Sequence, residues 1–375
     1  MLKLNIKCKH IANSKWLSNF TFNEKVEDDV EIKPTFFLLE MTNDCNMRCK
    51  YCFRGEHLNK KIEYETLNNV LEAIYNYVIK YKINHFSIQP WGGELLLEIK
   101  KIIYIREFFS AKNMFPNIVC ETNGILLTEK NATLLVANDI QFGISIDGIP
   151  AIHDFNRPMS NQAYKSSEII KNNIVNFHKK YPNFKLSSIT TNTKGSINHV
   201  IDILHYLIED LNIKNLKMNF VKNNPFMAKD IGVMSEQEIE KFYRKMHKGF
   251  IKYSNKYSDV SKGNIIIRAI NLLTRTTKDI CNSHGCQGGN KMFAFDVNGS
   301  AFNCELIGEK DQFLGTYKDD FIEMIKKSKV GNKYFNKKGK KECKQCPWQY
   351  YCMGGCSSIC LHEDKEYDNY TCAIN

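Results

Sequence analysis

No apolar run in this 375-residue chain approaches 18 residues, so no segment reads as membrane-spanning. The N-terminus, MLKLNIKCKHIANSKW, lacks the apolar stretch of a secretory signal, which makes a cytoplasmic protein the expectation. Absent too is any Gly-x-Gly-x-x-Gly, the fingerprint of an open nucleotide-binding sheet. Concentrated charge is scarce. The formal net charge is +11, yet lysines are spread over the chain and only NKKGKKECK, 336–344, forms a dense run. A solvated basic surface is the plain reading, attraction of an acidic peptide the alternative, and nucleic acid is disfavoured as a partner.

What the chain has in excess is cysteine, fourteen of them. Without an export signal the compartment is reducing, disulfides are disfavoured, and clustered cysteines point to metal or catalysis. Hydrophobic residues at 43% and charged residues at 25% suit a folded chain. Its length allows two domains, or one large α/β domain with an appendage.

From residue 35 strand-like and helix-like segments alternate. Strands are predicted at 35–42, 85–91, 117–124, 141–148, 185–192 and 215–221. Helices are predicted at 64–82, 99–109, 129–137, 163–179, 197–207 and 236–253; the first carries Leu67, Val70, Leu71, Ile74 and Val78 on one face. Six strand-then-helix units call for an α/β fold, a parallel sheet with right-handed crossovers, and a partial (β/α)6 TIM-like barrel. Polar and glycine-rich punctuation follows the strand ends: the cysteines after the first, WGGE after the second, TNG after the third, DG after the fourth. In a β/α barrel those ends share the ligand-binding face. After residue 262 the alternation stops, and nine of the fourteen cysteines lie beyond it. The expected division is an N-terminal extension, 1–34, the barrel, 35–262, and a cysteine-rich unit, 263–375.

The loop TNDCNMRCKYCFRG places Cys45, Cys49 and Cys52 within eight residues. Three is an awkward number, because a structural zinc site and an ordinary iron–sulfur cluster each take four ligands. Such a loop after a strand can hold three irons of a [4Fe–4S] cube and leave the fourth open to an exogenous ligand. A zinc site borrowing a distant ligand is the alternative. The loop resembles the radical SAM signature, with Tyr51 before the last cysteine and Phe53 after it, and the resemblance makes S-adenosylmethionine (SAM) the fourth ligand.

Neighbouring motifs extend the resemblance. Gly92, Gly93 and Glu94 resemble the family's strand-edge motif that hydrogen-bonds the SAM amino group, glycine allowing the backbone close to the ligand. Leu95 stands where the family usually has proline. SIDG, ending at Gly148, followed by HDFNR looks like the stretch in which Ser145 contacts the ribose and Arg157 the SAM carboxylate. A capped turn and a surface arginine are the plainer reading.

Further on come Cys286, Gly299 and Cys304, then Cys343-x2-Cys346-x5-Cys352-x3-Cys356 and, after fifteen more residues, Cys372. This is similar to the seven-cysteine pattern of the SPASM domain of peptide- and protein-modifying radical SAM enzymes. A zinc ribbon at Cys343, Cys346, Cys352 and Cys356 would leave the others unexplained. Carried over from the sulfatase-maturating branch, auxiliary cluster I would use Cys281, Cys286, Cys304 and Cys356, and cluster II Cys343, Cys346, Cys352 and Cys372. Three [4Fe–4S] clusters are thereby implied. Cys8 and Cys120 remain as plain residues. Cys360 is a bystander, a hydrogen-atom donor or a replacement ligand.

The resemblance implies reductive cleavage of SAM to a 5′-deoxyadenosyl radical that takes a hydrogen atom from a peptide or protein substrate. The electron would come from a reductant such as flavodoxin or ferredoxin. Glu305 follows Cys304, where the sulfatase-maturating branch has an aspartate base, and is read as a base or as a surface residue. Trp91 in place of that branch's glutamine, and ETNG in place of QTNG, turn the reading from formylglycine formation toward maturation of a ribosomally made peptide. The product would be a thioether or carbon–carbon cross-link or a related modification. Thirty-four N-terminal residues are too few for a leader-recognition domain, so leader binding would need a separate protein or another surface. An iron–sulfur electron carrier or an RNA-modifying protein is the reading from another class.

Overall fold

A computed structural model of the chain describes residues 33–55, 59–257, 260, 286–305, 313–331 and 354–362. Nine strands form one sheet: β1 Phe36–Thr42, β2 Ser87–Gly92, β3 Asn117–Thr122, β4 Gln141–Ser145, β5 Ser187–Asn192, β6 Asn215–Phe220, β7 Met292–Phe295, β8 Ser300–Phe302 and β9 Phe313–Thr316. Their order is β6-β5-β4-β3-β2-β1-β7-β8-β9. The first six are parallel neighbours in sequence order, as a right-handed β/α series requires. The fold is the α/β partial barrel that the alternation predicts.

Helices α1 Tyr64–Lys80, α2 Ile99–Ser110, α3 Glu129–Ala137, α4 Pro150–Asn156, α5 Ser166–Lys180, α6 Val200–His205 and α7 Glu236–Lys256 lie between and after these strands. The five apolar residues read on the face of α1 are all buried. Ser235 opens α7 with a reciprocal cap: its hydroxyl accepts from the Glu238 N–H and the Glu238 carboxylate accepts from the Ser235 N–H. The helix expected at 197–207 begins later, at Val200. A 3-10 turn, Lys194–Ser196, with its own Thr193/Ser196 cap uses the preceding residues, and a π turn, Tyr206–Asp210, continues the helix. Helix α4 is short and was not foreseen.

Strand residues alternate between two faces. Phe37, Leu39 and Met41 of β1, Ile88, Ile118, Cys120, Phe142, Ile144, Leu216 and Met218 join the helices in the main core. Leu38, Trp91, Met292, Ala294, Phe302 and Cys304 form a second apolar cluster on the opposite, lumen face. The sheet also runs past the sixth strand. Residues 292–295 pair parallel with β1, Leu39 opposite Phe295, and β8 and β9 add antiparallel strands outside them. Helix α8, Phe321–Gly331, covers this end, stacking Phe321 on Phe293 with ring centroids 5.4 Å apart. The expected cysteine-rich unit thus shares its first strands with the barrel's sheet.

Among the described residues no helix is long and apolar enough to cross a membrane. The lysine run at 336–344 and the expected N-terminal extension through residue 32 lie outside the described residues.

One buried cation ties the outer helices to the sheet. The Arg106 guanidinium donates to the carbonyls of Pro116 (3.0 Å), Asn138 (3.0 Å) and Asp139 (2.9 Å), joining α2 to the entry of β3 and the end of α3. Arg106→Met keeps the aliphatic stem and strands three carbonyls. Urea unfolding under anaerobic conditions should show a loss of about 2–4 kcal/mol, the scale of losing charged hydrogen bonds.

Candidate active site

The cysteine loop leaves β1 at the C-terminal mouth of the sheet, and three other segments hold its backbone. From the end of β2, Gly93 and Glu94 donate their N–H groups to the carbonyls of Thr42 and Asp44, both at 2.8 Å. From the end of α4 and the segment after it, the carbonyls of Asn156 and Pro158 accept from Lys50 (2.9 Å) and Arg48 (2.8 Å), while Ser160 donates to Asn46 (3.0 Å). From the loop after β6, Ala228 donates to the Lys50 carbonyl (2.7 Å) and the Asn224 amide to that of Tyr51 (3.2 Å).

The glycines make this possible. A Cβ at Gly92 would stand 2.1 Å from the Thr42 carbonyl oxygen, and one at Gly93 2.0 Å from that of Asp44. Gly92 also takes φ +142°, which L side chains rarely adopt. The close approach that the sequence reading reserved for a ligand is made here by the protein's own backbone. Glu94 is likewise engaged internally. Its Oε1 accepts from the Leu96 N–H (3.0 Å) and Thr122 hydroxyl (2.6 Å), and its Oε2 from the Asn123 N–H (2.8 Å). This buried carboxylate ties the end of β2 to the end of β3, so the motif's contribution to a ligand falls to its backbone.

The thiols of Cys45, Cys49 and Cys52 are electrostatic neighbours. Burial pushes Cys45 up to about 12 and Cys49 up to about 11, and raises Cys52; the Arg157 charge opposes the shift at Cys49 and Cys52. Such thiols yield their protons to a bound metal. Among the described residues no three His, Cys, Asp or Glu side chains close around a single ion. Three neighbouring soft donors in one short loop match three irons of a [4Fe–4S] cube, whereas a structural zinc site takes four ligands. Two donors flank the sulfurs: Asn123 Nδ2 is 3.7 Å from Cys45 Sγ and Arg157 Nη1 is 3.9 Å from Cys49 Sγ.

Asp147 organises the other side. Fully buried, it accepts from Tyr51 Oη (2.6 Å), Arg157 Nε (3.1 Å), Asn156 Nδ2 (3.2 Å) and the Thr191 N–H (3.1 Å). Burial alone would lower the Arg157 guanidinium, but Asp147, Tyr51 and Cys49 beside it hold it well above its ordinary value. Its guanidinium lies 5.3 Å from the Tyr51 ring centroid. Burial lowers His153 to about 4, leaving a neutral ring whose Nδ1 accepts the Asp147 N–H at 3.1 Å. Ser145 ends β4, half-buried. Asp147, Asn123 and His153 were not singled out from the sequence, although SIDG, the Asn-Gly turn of TNG and HDFNR contain them.

Of the second cysteine set, Cys281, Cys343, Cys346, Cys352 and Cys372 lie outside the described residues. The remaining three come together from distant parts of the chain. Cys286 is raised by burial and by Cys356 beside it, and bonds to Ser357. Cys304 Sγ is 3.4 Å from Ser358 Oγ, on the short helix α9, Ser357–His362. Glu305 follows Cys304, half-buried, in a bend after β8. Cys360 is fully buried one helical turn from Cys356, 3.8 Å from the Gly354 carbonyl.

Fold and cysteine loop together describe a β/α partial barrel with three thiols at its mouth, the arrangement of an enzyme built around an iron–sulfur cluster. The family model for the Radical SAM superfamily matches residues 39–207. Residues 39–207 thus form a radical SAM domain, which implies a [4Fe–4S] cluster and SAM, and the chain is an enzyme. It is 25% identical over 358 residues to the cysteine-type anaerobic sulfatase-maturating enzyme of Clostridium perfringens (strain 13 / Type A), covering 88% of this chain and 91% of that protein. A structure of native anSMEcpe with bound AdoMet matches with TM-score 0.74 and 22% identity, over 90% of this chain and 95% of that one. Streptococcus suis SuiB bound to precursor peptide SuiA matches with TM-score 0.64 and 12% identity, over 90% and 76%. At these identities the structural matches establish the fold.

The backbone contact at Gly93 is directly testable. Gly93→Ala sets a methyl against the Asp44 carbonyl and displaces the cysteine loop. After anaerobic reconstitution the variant should lose about four irons per chain, one cube, while far-ultraviolet circular dichroism stays that of the parent.

Proposed function

We propose that this enzyme is a peptide maturase that oxidises a residue of a ribosomally made peptide, leaving a thioether or carbon–carbon cross-link or a related modification. The observation that carries this reading is the place of the second thiol group. Cys304, grouped with Cys286 and Cys356 through α9, shares an apolar cluster with Trp91, the residue before the Gly92-Gly93-Glu94 clamp. Two sulfur-rich sites thus border one lumen face. A substrate lying there can lose a hydrogen atom toward one site and an electron toward the other.

Cys45, Cys49 and Cys52 would hold one cluster. Cys281, Cys286, Cys304 and Cys356 would hold a second, and Cys343, Cys346, Cys352 and Cys372 a third. The first cluster and SAM, when bound, supply a 5′-deoxyadenosyl radical from an electron delivered by a flavodoxin- or ferredoxin-type donor. Arg157 and Asn123 direct N–H groups at the loop sulfurs, and Arg157 and Ser145 would also engage the carboxylate and ribose of SAM. Leu38, Trp91 and Phe302 keep water from the lumen wall. The second cluster, when bound, would supply an electron acceptor for oxidation of the substrate, and Glu305 would take the proton released with that electron. Formylglycine formation in a sulfatase is the second reading, favoured by the 25% identity to the sulfatase-maturating enzyme over most of both chains. The peptides named in the related structures, SuiA with SuiB and Cp18Cys with anSMEcpe, support a peptide-like substrate in either case.

Anaerobically reconstituted protein should carry about twelve irons, three cubes of four. Replacing Cys45, Cys49 and Cys52 together by Ala should remove about four and abolish 5′-deoxyadenosine formation. Zinc in place of iron after anaerobic purification would overturn the reading.

Glu305→Gln should retain all its iron and form 5′-deoxyadenosine, while product falls by about 10²–10⁴-fold, the usual worth of a general base. Glu305→Asp should fall less. Normal turnover by the Gln variant would move the proton to another acceptor.

A further inference from the structure

Glu40, Arg54 and Trp91 meet on the lumen face, and neither the metal-binding motifs nor the expected base includes them. Glu40 and Trp91 are register partners on β1 and β2. Arg54, two residues after Cys52, pairs with Glu40 Oε1, and its guanidinium lies 4.7 Å from the Trp91 ring centroid. All three are largely withdrawn from solvent, the Arg54 side chain at 13% exposure and the Glu40 side chain at 6%. Trp91 is 7% exposed and belongs to the cluster that contains Cys304. The trio therefore stands between the cysteine loop and the second thiol group.

Its hydrogen bonding is incomplete. Arg54 Nε and Trp91 Nε1 are both buried N–H donors without an acceptor among the described residues. A buried donor left unmade costs about 1–3 kcal/mol, and such groups are rare enough in folded proteins to need a reason. Neither group is needed to hold the cysteine loop, whose backbone is already bonded from three sides. Here the chemistry is that of an amide. Two unpartnered N–H donors on adjoining side chains suit a carbonyl oxygen, a carboxylate beside them suits an N–H, and the indole adds a flat apolar surface.

We propose that Arg54, Trp91 and Glu40 form a subsite that grips a backbone amide of the peptide substrate between the two sulfur sites. The Arg54 and Trp91 N–H groups donate to the peptide carbonyl, and Glu40 accepts the neighbouring peptide N–H. The Arg54 side chain turns on its remaining exposed edge to admit the chain, trading part of its contact with Trp91 for the substrate. The subsite sets how far along the lumen the peptide lies, and hence which residue is presented to the radical. This inference rests on the peptide-maturase reading.

The test uses reconstituted holoenzyme and a synthetic pool of 18-residue peptides, each with one central Cys or Ser between randomised flanks. Mass spectrometry identifies the members that wild type converts, and the best of them is used for kinetics. Trp91→Phe removes one N–H and keeps an aromatic floor, and Arg54→Lys keeps the charge but removes Nε. Each should raise the peptide KM about tenfold, the worth of one hydrogen bond to an amide, and change kcat less than threefold. Both should carry wild-type iron. Glu40→Gln should shift which pool members are converted. If wild type converts no member, the peptide-maturase reading fails. If wild type converts a peptide and Trp91→Phe matches its KM, the subsite is refuted whatever Arg54→Lys does. Loss of iron in Arg54→Lys would make Arg54 a loop anchor and overturn its part in the grip, leaving Trp91→Phe to decide the rest.

Discussion

The approach of Gly93 to the Asp44 carbonyl is the constraint on which the site depends. A loop that must present three thiols at fixed positions cannot rely on the metal alone to order it, because ordering each residue costs about 1–2 kcal/mol of backbone entropy. Here the ordering is done by main-chain hydrogen bonds from the end of β2, the segment after α4 and the loop after β6. The tightest of these requires two residues with no side chain at all. Glu94 extends the constraint, since its carboxylate fixes the end of β3 and with it Asn123, whose amide faces Cys45. Holding the three thiols in place in this way is preorganisation carried by backbone rather than by a rigid shell of side chains.

Asp147 performs the matching task at the opposite rim. It gathers a phenol, a guanidinium, an amide and a backbone N–H, so Tyr51 and Arg157 are both fixed by one carboxylate. The Asp147 carboxylate, with Tyr51 and Cys49, keeps Arg157 charged beside the cysteines against the cost of its burial. Lumen chemistry is divided accordingly. Hydrogen bonds dominate beside the cysteine loop, and apolar contact dominates where β7 and β8 continue the sheet beyond β1.

Much of this was legible in the sequence because it was written in periodicity and in residue types that have few other uses. The first six strands and their main helices follow apolar spacing closely, and Glu129–Ala137 falls where it was read. The cysteine loop needed no structure to be noticed. What escaped was decided by distant pairing. Nothing local in MFAF says that it lies parallel against FFLL, since both are short apolar runs whose partners are chosen by the whole sheet. The internal use of Glu94 was hidden for the same reason: its partners Thr122 and Asn123 are 28 and 29 positions away. Asp147 escaped because a buried carboxylate in a turn looks like any capping aspartate until its four donors are in place.

The position of β1 between β2 and β7 has a consequence for how the chain is made. The strand is among the first parts of the fold to leave the ribosome, yet one of its two edges is filled by residues about 250 positions later, roughly 10–50 s of synthesis at ordinary elongation rates. Until then FFLL shows an unpaired, apolar backbone edge, the kind of surface on which nascent chains stick to one another. Parallel closure at such sequence separation is slow even after release. The barrel half can assemble early, but it stays a sticky intermediate until the C-terminal strands dock, so the vulnerable stage in the life of this enzyme is its birth.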